Sequence, residues 1–272
     1  MSVLEDAGFH VMIPQQNMCC GRPFYDFGLL EPARKYLETI LRVMAPRIEA
    51  GTPFVLLEPS CCSVFRDELL NLLPHNQNAT RLHHQTFTLA EFLTRQAPRY
   101  RAPVLRRKVL LHGHCHHKSL LKMNADHDLL RRMQVEFEPL DSGCCGMAGA
   151  FGFEKGEHYE VSIKCGERVL LPRARELKTG EILVTDGFSC HEQVLQQTGQ
   201  ETLHLAQLLE LALQSGEREA PAEPPPERHE QHDQHEQRDG HAHGRFRWLA
   251  PAWAAAVATA ATIALVRSEK SK

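Results

Sequence analysis

The sequence predicts an α/β fold made of a duplicated cysteine-bearing unit, and three observations predict it. Short apolar runs alternate with amphipathic stretches from Ser2 to about Leu213. The segment Asn17-Met-Cys-Cys-Gly-Arg-Pro-Phe-Tyr-Asp-Phe-Gly28 is echoed by Gly143-Cys-Cys-Gly-Met-Ala-Gly-Ala-Phe-Gly152. Each Cys-Cys-Gly is followed, 41 to 45 residues later, by a strand-like run ending in Ser-Cys: Phe54 to Cys61 in the first copy and Ile182 to Cys190 in the second. Two sets at matched spacing indicate a repeat built to hold a thiolate-ligated cofactor.

The elements follow in order from the apolar pattern. Strands are predicted at His10 to Ile13, Phe54 to Leu57, Val109 to His112, Val135 to Leu140 and Ile182 to Thr185. Helices are predicted at Pro32 to Ala50, Asp67 to Leu73, Leu89 to Gln96, Tyr159 to Leu171 and Leu203 to Leu213. Each cysteine group sits just after a strand. Loops at the carboxyl ends of strands are where α/β folds assemble their sites, so the ligands are expected to meet at one edge of the sheet.

Composition bounds the class. The 272 residues, 42% of them hydrophobic, suffice to bury a core without disulfides, and a formal charge of -3 gives no footprint for a nucleic-acid partner. Nine cysteines is an odd number and the N-terminus carries no secretory signal, so thiolate ligands in a reducing, cytoplasmic setting are expected rather than a disulfide framework.

Three segments are expected: a cysteine-rich domain at 1–215, a disordered linker at 216–244, and an Ala-rich tail at 245–272. The linker holds Pro224-Pro-Pro226 and is otherwise mostly Glu, Gln, His, Asp and Arg, which cannot bury enough apolar area to offset ordering. Its His229, His232, His235, His241 and His243 are either a transition-metal tract or a solvated low-complexity run. Trp248 to Val266 is uncharged over 19 residues, long enough for a bilayer, but rich in Ala and Thr. It is either an anchor to the cytoplasmic membrane or an ordinary tail, helical or unstructured.

The chemistry is carried by the cysteines. Adjacent Cys-Cys before Gly is not the knuckle of a structural zinc site, which favours an iron-sulfur centre. Cys115, 29 residues before Cys144, adds a forward ligand to the second copy, so Cys115, Cys144, Cys145 and Cys190 make a set of four. By the same offset the first copy's forward cysteine would precede Met1, so that copy is expected to be N-terminally truncated, with Cys19, Cys20 and Cys61 as its remaining ligands. Cys62 is either a substitute ligand or a neighbour, and Cys165 is expected to be a core residue among Val161, Val169 and Leu170.

Gly21 and Gly146 are expected to let the backbone turn beside the ligands and offer N–H groups to sulfur, with Gly143, Gly149 and Gly152 extending this in the second copy. His112, His114, His116 and His117 surround Cys115. At least one of these is expected at the site and at least one exposed, with His114 and His116 foremost. Glu58, Asp186 and His191 are candidates for a supporting shell.

Taken together, Cys-Cys-Gly-Arg-Pro, Glu-Pro-Ser-Cys, His-Gly-His-Cys-His, Gly-Cys-Cys-Gly-Met-Ala-Gly-x-Phe-Gly and Asp-Gly-Phe-Ser-Cys resemble the cysteine-rich Cys-Cys-Gly domain family, over about residues 3 to 213. That family includes the Cys-Cys-Gly subunit of heterodisulfide reductase and the iron-sulfur subunits of glycolate oxidase and anaerobic glycerol-3-phosphate dehydrogenase. It also includes the C-terminal part of FAD-linked D-lactate or D-2-hydroxyacid dehydrogenases, which these signatures resemble most. The resemblance implies electron transfer from a flavin through a 4Fe-4S cluster on the second copy, with a second cluster on the first copy left open. Glycines and histidines of the motifs would line it.

The sequence has no ferredoxin-type Cys-x2-Cys-x2-Cys-x3-Cys run and no Gly-x-Gly-x-x-Gly after a strand. FAD and the ferredoxin-like module are therefore expected on a partner or on further sequence, and this chain alone is not expected to turn over a hydroxy acid. Each Ser-Cys element also lacks the second cysteine seen in heterodisulfide reductase, which argues against heterodisulfide chemistry. Two other classes stay open: a zinc-bound structural module, and a thiol/disulfide reductase cycling Cys144 and Cys145.

Overall fold

The structure is a computed structural model that describes residues 1–218 and 263–268. Two sheets carry the two copies. In the second copy, β4 (Lys108–Leu111), β5 (Glu136–Pro139) and β6 (Ile182–Val184) form a parallel sheet in the order β5-β4-β6. In the first, β1 (Phe9–Met12), β2 (Phe54–Leu56) and β3 (Thr86–Thr88) share a sheet with β7 (Ile263–Ser268), in the order β1-β7-β2-β3.

The repeat is visible in this topology. β1 and β5 each precede a Cys-Cys-Gly, and β2 and β6 each lead into a Ser-Cys. In the second copy the strand between them is β4, which leads into Cys115 and runs parallel to both neighbours. In the first copy that slot is held by β7, which runs antiparallel to β1 and β2 and leads to no cysteine.

Three apolar clusters hold these elements. One contains Val55, Phe92, Val109, Leu129, Val184 and Leu208, and so spans both sheets and joins the copies. A second packs the helix Leu30–Glu49 through Leu37, Ile40 and Met44 onto Phe54 and Phe65. A third places Leu110, Leu140, Leu171, Leu183 and Val194 around Cys145 and Cys190. Each fully buried Leu or Phe here contributes about 1.5–3 kcal/mol through removal from water.

The five expected strands are present within a residue or two. Two helical expectations are corrected. The run expected at Asp67 to Leu73 begins at Pro59 and continues to Leu72, because Glu58 caps Ser60 N at 3.1 Å and Pro59 suits a first helical position. Cys61 therefore lies in a helical first turn, and Cys190 does likewise in the helix Phe188–Thr198. The single helix expected at Tyr159 to Leu171 is two, Glu157–Gly166 and Leu170–Arg175. Pro172 cannot donate the backbone bond that a continuous helix would require of it, but it is tolerated in the first turn of a new one. Helices at Gln77–Gln85 and Asn124–Arg132 add to those expected.

Of the uncharged stretch 248–266, the last four residues lie in β7; residues 248–262, like 219–244 with the histidine tract, lie outside the described residues. No helix among the described residues is long and apolar enough to cross a membrane.

The end of the described cysteine-rich region is tied to its start. Arg218 forks onto Asp6, with Nη1 2.7 Å from Oδ2, and Tyr100 donates its hydroxyl to the same oxygen at 2.9 Å. The Arg218 bond holds the Asp6 carboxyl below its usual range, against the opposing effect of burial. A depressed carboxylate stabilises the fold above its unfolded pKa of about 3.9 and loses that contribution as pH falls through the folded value. Arg218→Ala is therefore expected to lose no more than about 1 kcal/mol at pH 7, since the pair is partly exposed. The deficit should shrink toward zero below pH 4 in urea melts at matched ionic strength.

Candidate metal centre

The loop after β4 delivers Cys115, the loop after β5 delivers Cys144 and Cys145, and the first turn after β6 delivers Cys190. Their side chains follow one another as interacting neighbours, Cys115 to Cys144 to Cys145 to Cys190. All nine cysteines are free thiols, and Cys145 and Cys190 are 3% and 1% exposed.

The four groups share protons rather than titrate singly. Bonds from the Cys115 and Cys145 thiols hold Cys144 far below the ordinary thiol range. Cys145 likewise lowers Cys190, burial opposes this, and His112 adds to the lowering. Cys115 and Cys145 are pushed up in turn, first by donating to Cys144 and then by further sulfur contacts and burial. A positive centre among these sulfurs would draw off their protons.

Backbone amides point at the sulfurs. Gly146 N donates to Cys144 Sγ at 3.3 Å, and the nearby amides of Met147 and His116 act to lower the Cys145 and Cys115 thiols. The first copy repeats the pattern, with Gly21 N on Cys19 Sγ at 3.4 Å and the Arg22 amide on Cys20. Gly146 has φ +104°, and a Cβ there would lie 2.1 Å from Ser162 O. Gly21, with φ +81°, faces Ala33 O at 3.0 Å in the same way. In both copies the glycine is required by a left-handed turn pressed against a following helix.

Gln193, buried in the helix Phe188–Thr198, fixes the second turn: its Nε2 donates to Cys145 O at 3.1 Å and to Ser162 O at 3.2 Å. Sequence reasoning missed Gln193 and Ser162, because nothing in a Gln on a helix marks it as buried.

Of the four histidines around Cys115 none is exposed, which corrects that expectation: His112, His114 and His117 are buried and His116 is half-buried. His112 lies against Cys190, and its Nδ1 is 2.5 Å from Ser142 Oγ. Ligand atoms of His114, Cys115 and His116 lie within 4.8 Å of one another. His116 is held neutral by burial and by the nearby Arg22 and His114, its pKa brought down to about 4.

The unexpected member is Arg22, from the first copy. Its guanidinium crosses to His116 Nε2 while pairing with Glu68 and with Asp26 Oδ1, the last at 2.9 Å. Arg22, Asp26, Ser60 and Ser189 complete, with His114, His116, Cys115, Cys144 and Cys145, a cavity of about 370 Å³. A single ion at about 2.3 Å from each sulfur would not need that space, whereas a polynuclear centre would.

The first copy is less complete. Cys20 Sγ lies 3.1 Å from Cys61 Sγ and Cys19 bonds to Cys20. The bond from Cys19 pulls Cys20 down, but Cys61 and burial prevail and push it up to about 12. Three sulfurs gather there against four in the second copy. Cys62 is fully buried in the apolar cluster that also holds Cys20 and Cys61. Cys165 is half-buried and Val161 exposed, which corrects the reading of Cys165 as a core residue.

The supporting candidates divide. Glu58 Oε2 accepts from Phe188 N at 2.9 Å, linking the two Ser-Cys turns. Asp186 caps Leu205 N at 2.8 Å, and His191 turns to Thr202 Oγ1 at 2.8 Å. Gly187 approaches the ligands closely: a Cβ there would sit 2.4 Å from His114 Cδ2 and 3.3 Å from Cys190 Sγ. Gly187→Ala is expected to destabilise by about 1–3 kcal/mol and to weaken metal retention, read as a lower Tm and lower metal content after dialysis.

Residues 109–194 match a family model described as a cysteine-rich domain. Over 218 residues the chain is 29% identical to a subunit of the anaerobic glycerol-3-phosphate dehydrogenase of Escherichia coli, covering 78% of this chain and 54% of that one. It is 26% identical over 227 residues to lactate utilization protein A of Bacillus licheniformis, covering 77% of this chain and 90% of that one. The chain thus spans about half the length of the glycerol-3-phosphate dehydrogenase subunits it matches.

Proposed function

We propose an electron-transfer role for this chain, whose residues 109–194 match the cysteine-rich domain model: an iron-sulfur module of an FAD-linked oxidoreductase that acts on a 2-hydroxy acid such as D-lactate or glycolate. The observation that carries this reading is the delivery of Cys115, Cys144, Cys145 and Cys190 from the ends of three neighbouring parallel strands, with Cys115, Cys144 and Cys145 lining one cavity. The relatives include a dehydrogenase subunit and a lactate utilization protein, which supports a partner-dependent oxidoreductase component.

Cys115, Cys144, Cys145 and Cys190 would hold one 4Fe-4S cluster, which when bound supplies one-electron redox chemistry. The chain's own groups prepare that site. The amides of His116, Gly146 and Met147 place positive dipole ends on sulfur and lower the cost of negative charge there. Gln193 and Ser162 fix the Cys144–Cys145 turn, and His112 steadies Cys190. Arg22, paired with Asp26 and Glu68, lines the cavity and reaches His116. Flavin and any ferredoxin-like clusters would come from a partner polypeptide, which receives or delivers electrons through the cavity side where Cys115 and Cys144 are half-buried.

The test mixes the anaerobically purified chain with photoreduced flavin mononucleotide. A visible chromophore that bleaches within the mixing experiment and returns on adding ferricyanide is the expected result. A chromophore that does not respond, or a colourless zinc protein, would overturn the electron-transfer role.

A further inference from the structure

Beneath the thiolates lies a second group of ligand-type side chains that no part of the electron-transfer reading uses. His117 follows Cys115 by two residues, Asp186 precedes Cys190 by four, and Asp126 is in the first turn of the helix Asn124–Arg132. One ligand atom from each lies within 4.8 Å of the others. The His117 and Asp126 side chains are 1% and 3% exposed, and that of Asp186 is 14% exposed.

The geometry between them is informative. His117 Nε2 and Asp126 Oδ2 are 3.0 Å apart, yet the ring N–H is not aligned on the oxygen, and neither atom has another hydrogen-bond partner. Two deeply buried polar atoms in contact, without an aligned bond, both face a common point. Two ligands at about 2.1 Å from one ion sit about 3.0–3.4 Å apart, which matches this spacing.

The neighbours leave the triad intact. His204 Nε2 is 3.5 Å from Asp186 Oδ1, but it donates to Leu57 O at 2.9 Å while Nδ1 accepts from Ala206 N, so His204 is committed elsewhere. Glu91 also faces His117, but its oxygens are engaged by Arg66 at 2.9 Å and Arg95 at 3.3 Å. That leaves two carboxylates, largely withdrawn from water, whose charge a single divalent cation would balance with neutral His117 as third ligand.

We infer that His117, Asp126 and Asp186 form a second metal site, taking one divalent ion of the manganese-to-zinc type through an imidazole nitrogen and two carboxylate oxygens, with water completing the shell. Such donors suit manganese or zinc and are distinct from the soft thiolates above them. The ion ties the loop carrying Cys115 to the turn carrying Cys190 and to the helix Asn124–Arg132. It acts as a structural clamp under the thiolate set.

Manganese is the probe, because it prefers oxygen and nitrogen to sulfur. The metal-stripped full chain is titrated with Mn²⁺ under EPR, beside a variant with His229, His232, His235, His241 and His243 changed to Gln. One tightly held ion per chain in both proteins is expected, with the pulsed-EPR coupling of a single imidazole nitrogen. Asp126→Asn and Asp186→Asn, checked for folding by circular dichroism, should each weaken binding by at least about 100-fold. Cys144→Ser should leave it unchanged. No tight ion in the parent, no nitrogen coupling, or equal binding by a folded Asp126→Asn would each overturn the site; the first two decide even where a variant fails to fold.

Discussion

Replacing Gly146 with alanine is expected to destabilise the protein by about 3–5 kcal/mol and to abolish metal retention at the second copy. Two penalties add. The φ of +104° is strained for any residue with a Cβ, and the new methyl would lie 2.1 Å from Ser162 O and 2.8 Å from Ser162 C, backbone atoms of a packed helix that cannot swing aside. Relief requires the Cys144–Cys145 turn to move off that helix, which breaks the Gln193 bonds and carries two ligands away from Cys115 and Cys190. Gly156 provides the control: its φ is +93°, but nothing lies within 4 Å of a Cβ there. Gly156→Ala should lose only about 1–2 kcal/mol and keep its metal. Thermal melts and metal analysis of the two variants check both statements, and equal effects would refute the steric argument.

Cys190→Ser is expected to weaken metal binding by more than about 100-fold and to lower the stability of the metal-free chain by about 2 kcal/mol. Its sulfur is 1% exposed, sits in the apolar cluster with Leu183 and Val194, and bonds to Cys145. A shorter hydroxyl there is too far from the shared point to ligate well and is buried beside apolar groups. Cys165→Ser, outside the sulfur chain, should retain metal. Competition with a colorimetric chelator measures the first effect and urea unfolding the second.

The duplicated α/β plan was legible because the repeat is written in residue types with narrow physical uses, Cys-Cys-Gly after a strand and Ser-Cys after another. The same clarity singled out Cys115, Cys144, Cys145 and Cys190 and the turn glycines Gly21 and Gly146 as candidates. What sequence could not supply is proximity between copies. Arg22 is an ordinary neighbour of a cysteine until the fold carries it across to His116. Asp126 and Gln193 look like solvated helix residues, and only tertiary burial gives them partners. Helix ends were misjudged where a local cap decided them, as at Glu58 with Pro59 and at the break before Pro172. The pairing of Ile263–Ser268 between β1 and β2 depends on a contact across most of the chain, which no local pattern encodes.

The most direct measurement is iron and acid-labile sulfide content of the anaerobically purified chain, with EPR of the reduced protein, beside Cys144→Ser and Cys61→Ser. The account predicts about four irons and four sulfides per chain, lost in Cys144→Ser and retained in Cys61→Ser. Zinc in place of iron, or equal loss of iron in both variants, would contradict a single iron-sulfur centre on the second copy.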